Sequence, residues 1–202
     1  AYHIEMRGAG LQNIGLDTSN LLDKKCAFKA NIDLILLSKL LRNSKKKISC
    51  VWLECSNNAL GGQTISLDNL KSVYQLCKPL EIPVILDATR LIENVIIYKN
   101  HPITQTNFTL PILLKEFCKF TDACAMSITK DFKLNTGGFI ATNSSILFDK
   151  MKANSLAFEL HHCQPPLFCH NESYETCFEN AIERIKLVTQ LYDYLMTASI
   201  PM

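Results

Sequence analysis

The residues with chemical potential in this chain are a lysine, a carboxylate, a hydroxyl and two further donors, each placed just past a short apolar run. In ACAMSITKDFKLNTGG, residues 123–138, the apolar run ends at Ser127. Lys130 and Asp131 follow, then a polar turn and the pair Gly137–Gly138. The run IPVIL, from Ile82, ends in Asp87, Ala88, Thr89 and Arg90. The run SCVWLEC, from Ser49, passes into Ser56, Asn57 and Asn58. Taken singly, each has a plain structural reading. An Asp after a strand caps a helix, a loop lysine is a solvated charge, and a Gly-Gly pair is a turn.

Together they answer to one kind of chemistry. An aldehyde cofactor built on a pyridine ring needs an amine to form a Schiff base. It also needs a carboxylate to keep the ring nitrogen protonated, so that the ring can act as an electron sink. A donor beside the ring's phenolic oxygen tunes the imine, and a hydroxyl can hold the phosphate. Lys130, Asp87, Arg90 or Asn58, and Ser127 supply that list, which fits pyridoxal phosphate (PLP).

Such residues must be held by a scaffold, and the chain spells one out. Strands are expected in SCVWLEC, IPVILD, ACAMSI and GGFIAT. Helical spacing marks NIDLILLSKLLRN from Asn31, the segment from Ser66 with that serine as N-cap, Thr89–Tyr98, LPILLKEFCKF from Leu110, Asn143–Phe158, and a long amphipathic stretch from Asn171. Strands alternating with helices of about 10–15 residues predict an α/β domain with a mostly parallel sheet. Apolar runs without strict alternation agree, because parallel strands are covered on both faces. In such a sheet, ligands sit outside the carboxyl ends of the strands, where all the candidates above fall.

Composition narrows the classes. The chain has 202 residues, 48% of them apolar, and a net charge of +2, which predicts a packed core rather than disorder. The one dense basic stretch, Lys45, Lys46 and Lys47, lacks a basic stripe or interleaved aromatics, so it reads as a solvated loop and no nucleic-acid partner is expected. No run approaches the length of a membrane span. Nine scattered cysteines fit reduced, buried thiols and a cytoplasmic location better than a disulfide framework. His161, His162, Cys163, Cys169, His170 and Cys177 form a dense soft-ligand cluster. Its spacing follows no paired zinc pattern, so a zinc-dependent interaction module is the lesser reading.

At this point the sequence resembles the aromatic amino-acid β-eliminating lyases, the tyrosine phenol-lyase and tryptophanase family. CAFKANIDL, from Cys26, is similar to the family's FKGNIDL. NALGGQTISLDNL, from Asn58, is similar to its N-x-x-GGQPVS-x-x-N segment. ILDATRLIENVIIYKN, from Ile85, is similar to its DATR-x-x-ENAYFIK block, and AMSITKDFKLNTGG, from Ala125, to MS-x-KKD-x-x-VN-x-GG. The order and spacing of the four segments make the resemblance specific.

The resemblance implies that Lys130 is the Schiff-base lysine and that Asp87 pairs with the pyridinium nitrogen. Arg90 and Asn58 would lie near the phenolic oxygen, and Ser127 would contact the phosphate. The carbonyl of Asn135 would help ligate a monovalent cation, K+. It implies an aspartate-aminotransferase-like large domain (PLP fold type I), assembled as a homo-tetramer, acting on a small amino-acid substrate. The reaction would be β-elimination from tyrosine or tryptophan, giving pyruvate, ammonia and phenol or indole.

The departures carry expectations of their own. Thr129 stands where the family has the first of two lysines. HHCQPPLFCHNESYETC stands in place of a glycine-rich Arg-Asp segment. The resemblance also implies relatives more than twice this length. Residues 1–150 are therefore read as the central, incomplete part of the PLP-binding large domain, and 151–202 as a helical segment leading toward a small domain. On this reading the 202 residues alone are inactive. The alternative is a non-catalytic remnant of the same fold.

Overall fold

The computed structural model describes residues 2–16, 27–43, 47–132, 137–157 and 174–198. A short helix α1 (Tyr2–Glu5) and helix α2 (Leu34–Asn43) precede strand β1 (Val51–Glu54). Helix α3 (Leu67–Cys77) leads to β2 (Val84–Asp87), then α4 (Leu91–Asn100), α5 (Leu110–Lys119) and β3 (Ala123–Ser127). Strand β4 (Gly138–Thr142) and helices α6 (Ser145–Ala157) and α7 (Tyr174–Thr197) follow. The four strands stand in the order β1-β2-β3-β4. The first two pairings are parallel and the last is antiparallel. The expected mostly parallel α/β sheet is thus present.

Local chemistry explains the boundaries. Ser66 caps α3, its hydroxyl accepting from Asn69 N at 3.1 Å and so satisfying one of the helix's first unpaired donors. Pro111 sits in the first turn of α5, where the missing N–H costs nothing. The inner faces of α3 and α5 bury Leu70, Val73, Leu113 and Phe117 in one core with Val84 and Leu86 of β2. Asp122 fixes the far end of the sheet. Its carboxylate accepts Val84 N at 2.9 Å, its amide donates to Val84 O at 2.8 Å, and its carbonyl accepts the Thr142 hydroxyl at 2.7 Å.

Helix α4 is buried on nearly every side, including the polar residues Glu93 and Asn94. One face joins the main core through Leu91 and Val95. The other packs Ile92 and Ile96 against Cys177, Phe178 and Ala181 of α7. The outer half of α7 leaves Leu187, Val188, Leu191 and Tyr194 exposed, as β4 leaves Phe139 and Ile140.

The cysteines depart in part from expectation. Cys55 and Cys77 are buried free thiols and Cys177 is buried, whereas Cys50 and Cys118 are free but exposed. Both lie at element ends, ahead of β1 and in the last turn of α5, where an apolar run no longer guarantees cover. The soft-ligand cluster lies outside the described residues except for Cys177. Among the described residues no group of three metal-binding side chains occurs, and no helix is long and apolar enough to cross a membrane.

Candidate active site

The parallel strands β1, β2 and β3 deliver their carboxyl ends to one edge of the sheet. Asp87 is the last residue of β2 and lies in register with Ala125 of β3. Ser127 ends β3, and Lys130 follows in the turn beyond it. Asn58 opens a short 3-10 turn after β1, and Arg90 stands at the N-cap position of α4. The candidate side chains described here therefore arise from neighbouring loops at one sheet edge. Asn135 lies outside the described residues.

The N-terminal half of α4 locks these loops together. Asn94 is fully buried; its Oδ1 accepts Ile65 N at 3.0 Å and Ser56 N at 3.4 Å, while its Nδ2 donates to Ile65 O at 3.1 Å. That fixes both ends of the loop bearing Asn58. Ser56 adopts a left-handed backbone with φ 55, a costly conformation for a residue with a Cβ. Within the loop, Asn57 Oδ1 accepts Leu60 N at 3.0 Å. Thr89 Oγ1 accepts Ser127 N at 3.2 Å, tying the exit of β2 to that of β3.

The lysine's neighbour is anchored more firmly. Asp131 has no exposed surface, and its Oδ2 accepts Ile92 N at 2.8 Å. Arg90, the residue at the cap position of α4, makes no side-chain cap, so a carboxylate from 39 residues away takes that role and meets the positive end of the helix dipole. Its Oδ1 accepts Arg184 Nη2 at 3.1 Å. Burial pushes the Asp131 carboxyl up to about 7, with Glu93 adding to the rise. The Ile92 amide, Arg184 and Arg90 oppose it.

The Gly-Gly pair has its explanation here too. A Cβ on Gly138 would stand 2.6 Å from the carbonyl oxygen of Met126. Only glycine lets β4 pair with β3 beside Ser127.

The donor set suits PLP. The Lys130 side chain is exposed, and its ammonium makes no hydrogen bond or ion pair among the described residues. Asp87 spends Oδ1 on Thr89 N at 3.1 Å, while Oδ2 has no hydrogen-bond partner there. One amine and one carboxylate oxygen are thus left for a ligand. The hydroxyls of Ser127 and Thr129 share a hydrogen bond of 2.9 Å, giving a small polar cluster of the kind a phosphate accepts. Arg90 engages Glu93 at 3.1 Å with part of its guanidinium. Cys55, beside Asp87, is no competing nucleophile: it is wholly buried, and that burial, with nearby acidic groups, pushes its thiol well up.

Sequence reasoning missed Asp131 as an anchor, and it missed Glu93 and Arg184 altogether. The available signal was Glu93-Asn94 inside the apolar run LIENVIIYKN, where polar groups must find partners.

The fold is shared with a Leishmania major threonine aldolase (TM-score 0.56, 15% identity, 87% of this chain and 50% of that one). It is also shared with a PLP-bound C-S lyase from Staphylococcus hominis (TM-score 0.51, 17% identity, 82% of this chain and 39% of that one). The architecture is that of PLP fold type I. A tyrosine phenol-lyase of Nostoc punctiforme is 32% identical over 79% of this chain and 34% of its own length. A probable tryptophanase of Aeropyrum pernix is 32% identical over 62% of this chain and 27% of its own. The chain spans about a third of the length of the curated relatives it matches. The family model described as "Beta-eliminating lyase" matches residues 1–201, and the chain belongs to that family.

Proposed function

We propose that this chain supplies the cofactor-holding part of a PLP-dependent lyase that performs β-elimination on an aromatic amino acid, tyrosine or tryptophan. The observation that carries the reading is that, among the described residues, the Lys130 ammonium is unengaged and lies on the same sheet edge as an Asp87 carboxylate with one oxygen unpartnered. PLP, when bound, contributes an electron-poor ring that makes the substrate's Cα proton acidic. Asp87 holds a proton on the ring nitrogen. Ser127, with Thr129 beside it, hydrogen-bonds the phosphate. Arg90 and Asn58 donate toward the phenolic oxygen. Lys130 Nζ binds the cofactor and moves the proton at the substrate's Cα. A potassium ion at the Asn135 carbonyl and assembly into a homo-tetramer belong to the same proposal.

A second reading, a non-catalytic module of the same fold, draws on Thr129, which provides no positive charge beside the phosphate. The test is a titration of the protein with PLP, followed by absorbance, then borohydride reduction and peptide mapping. An absorbance band near the visible edge, lost on reduction with the label on Lys130, supports the enzyme reading. Pyruvate release from tyrosine or tryptophan by the protein carrying the rest of the large and small domains then separates it from the non-catalytic one. A label elsewhere, or none, refutes Lys130 as the cofactor lysine.

A further inference from the structure

Arg184 stands about halfway along α7, far in sequence from every candidate above, yet its guanidinium reaches the cofactor lysine's own peptide unit. Nη1 donates to the Lys130 carbonyl at 3.3 Å, and Nη2 donates to Asp131 Oδ1 at 3.1 Å. Nε donates to Glu93 Oε1. Glu93 is itself held by Arg90 at 3.1 Å, and Asp131 by Ile92 N at 2.8 Å. The peptide between Lys130 and Asp131 is therefore gripped twice, through its carbonyl oxygen and through the next side chain. The Lys130 side chain has no tether of its own among the described residues. What limits where its amine can go is the backbone it departs from.

We infer that Arg184 is a positioning residue for Lys130. By binding the Lys130 carbonyl and Asp131 together, it fixes the point on the sheet edge from which the amine is presented. The inference rests on the PLP-lysine role proposed above for its consequence, though not for its geometry. A planar fork with several donors can serve three acceptors at once. A lysine ammonium in its place is a compact point charge on a flexible stem and cannot keep that arrangement. A residue that merely joined α7 to α4 would need only the Glu93 contact, and the apolar seam of Ile92, Ile96, Phe178 and Ala181 already makes that junction.

The experiment compares the parent with Arg184→Lys and Arg184→Met by amide hydrogen exchange without cofactor, and by PLP titration. Exchange should quicken at least tenfold at Ile92, whose acceptor is Asp131, and at Ser127 and Ile128, which adjoin the turn. The amides of Val95 and Ile96, deeper in α4, should stay within about twofold of the parent in Arg184→Lys. The same variant should bind PLP at least tenfold more weakly. Unchanged exchange at Ile92, Ser127 and Ile128 in both variants overturns the inference. So does uniform acceleration through α4 in Arg184→Lys, which would mark a purely structural tie. The exchange arm decides the matter without cofactor. If the parent takes up no PLP while the exchange pattern is as expected, the functional proposal fails and the positioning role of Arg184 stands.

Discussion

Replacing Asn94 with alanine should remove a large share of the protein's stability and should loosen the loop that carries Asn58 first. The side chain has no exposed surface and serves three backbone groups: Ile65 N at 3.0 Å, Ile65 O at 3.1 Å and, more weakly, Ser56 N at 3.4 Å. Ile65 and Ser56 are themselves buried, so water does not readily replace the lost partners. Each buried group left unpaired costs about 1–3 kcal/mol. Two close contacts then give about 2–6 kcal/mol, with a smaller addition from the long one. A domain of ordinary stability has only about 5–15 kcal/mol to lose. Urea unfolding of parent and Asn94→Ala, with equal slopes, measures the difference directly. Because Ser56 already holds a strained left-handed conformation, releasing its amide should also raise hydrogen exchange at Leu60 and Gly62 ahead of the rest of the chain. A loss under about 1 kcal/mol would show that the loop keeps its place without Asn94, and that the reasoning from buried unpaired groups is wrong here.

Asp131, pushed up to about 7 from 3.8, gives the fold a pH dependence of defined sign. Between about pH 4 and 7 the folded state keeps a proton that the unfolded state releases. Stability from this group is therefore greatest in acid and falls as pH rises through the window, by a few kcal/mol in order of magnitude. Asp131→Asn should flatten that part of the urea-against-pH curve, and an identical curve in the variant would refute the assignment. Gly138→Ala, which puts a Cβ 2.6 Å from the Met126 carbonyl, should destabilise by about 1–3 kcal/mol and disturb Ser127 beside it. A neutral effect on the urea midpoint would count against the close approach. The exposed Phe139, Ile140, Leu187, Val188 and Leu191 should make the isolated 202-residue chain self-associate. Light scattering should then report a mass above 22.8 kDa, and a clean monomer would contradict this.

Most of the scaffold could be read from local pattern, because its causes are local. Ser66 announces α3, Pro111 opens α5, and the short apolar runs of β1, β2 and β3 form strands whose Val51, Leu53, Val84, Leu86, Ala123 and Met126 are buried, though Trp52 of β1 is exposed. The edge of the sheet bearing Asp87, Ser127 and Lys130 followed from the rule that parallel strands point their carboxyl ends one way. The bonds that position those residues were out of reach, because they join points distant in sequence. Asp131 was noticed only as the neighbour of Lys130, yet it serves as the cap of a helix that begins 40 positions earlier, as the 39-residue separation from Ile92 implies. Arg184 sits on an amphipathic helix among other charges, and nothing in its local pattern distinguishes it from Lys186 or Glu183. Cys50 and Cys118 show the converse limit: an apolar neighbourhood in sequence does not ensure cover at the end of an element.

The hub role of α4 also imposes an order on how the chain can mature. Ser56, Ile65 and Asn94 are all present once residue 94 has been made, so the Asn58 loop can be closed early. The Asp131 carboxylate arrives later and is drawn into the interior by Ile92 N. Its guanidinium partner comes 53 residues later still, and Glu93 waits 91 residues for the same arginine. During synthesis, Glu93 and Asp131 are therefore both made before Arg184, while Arg90 is already present to engage Glu93. The region that presents Lys130 reaches its final form only after α7 docks, and long-range closures of this kind are the slow ones. A lysine presented this way reaches its final setting only at the end of folding.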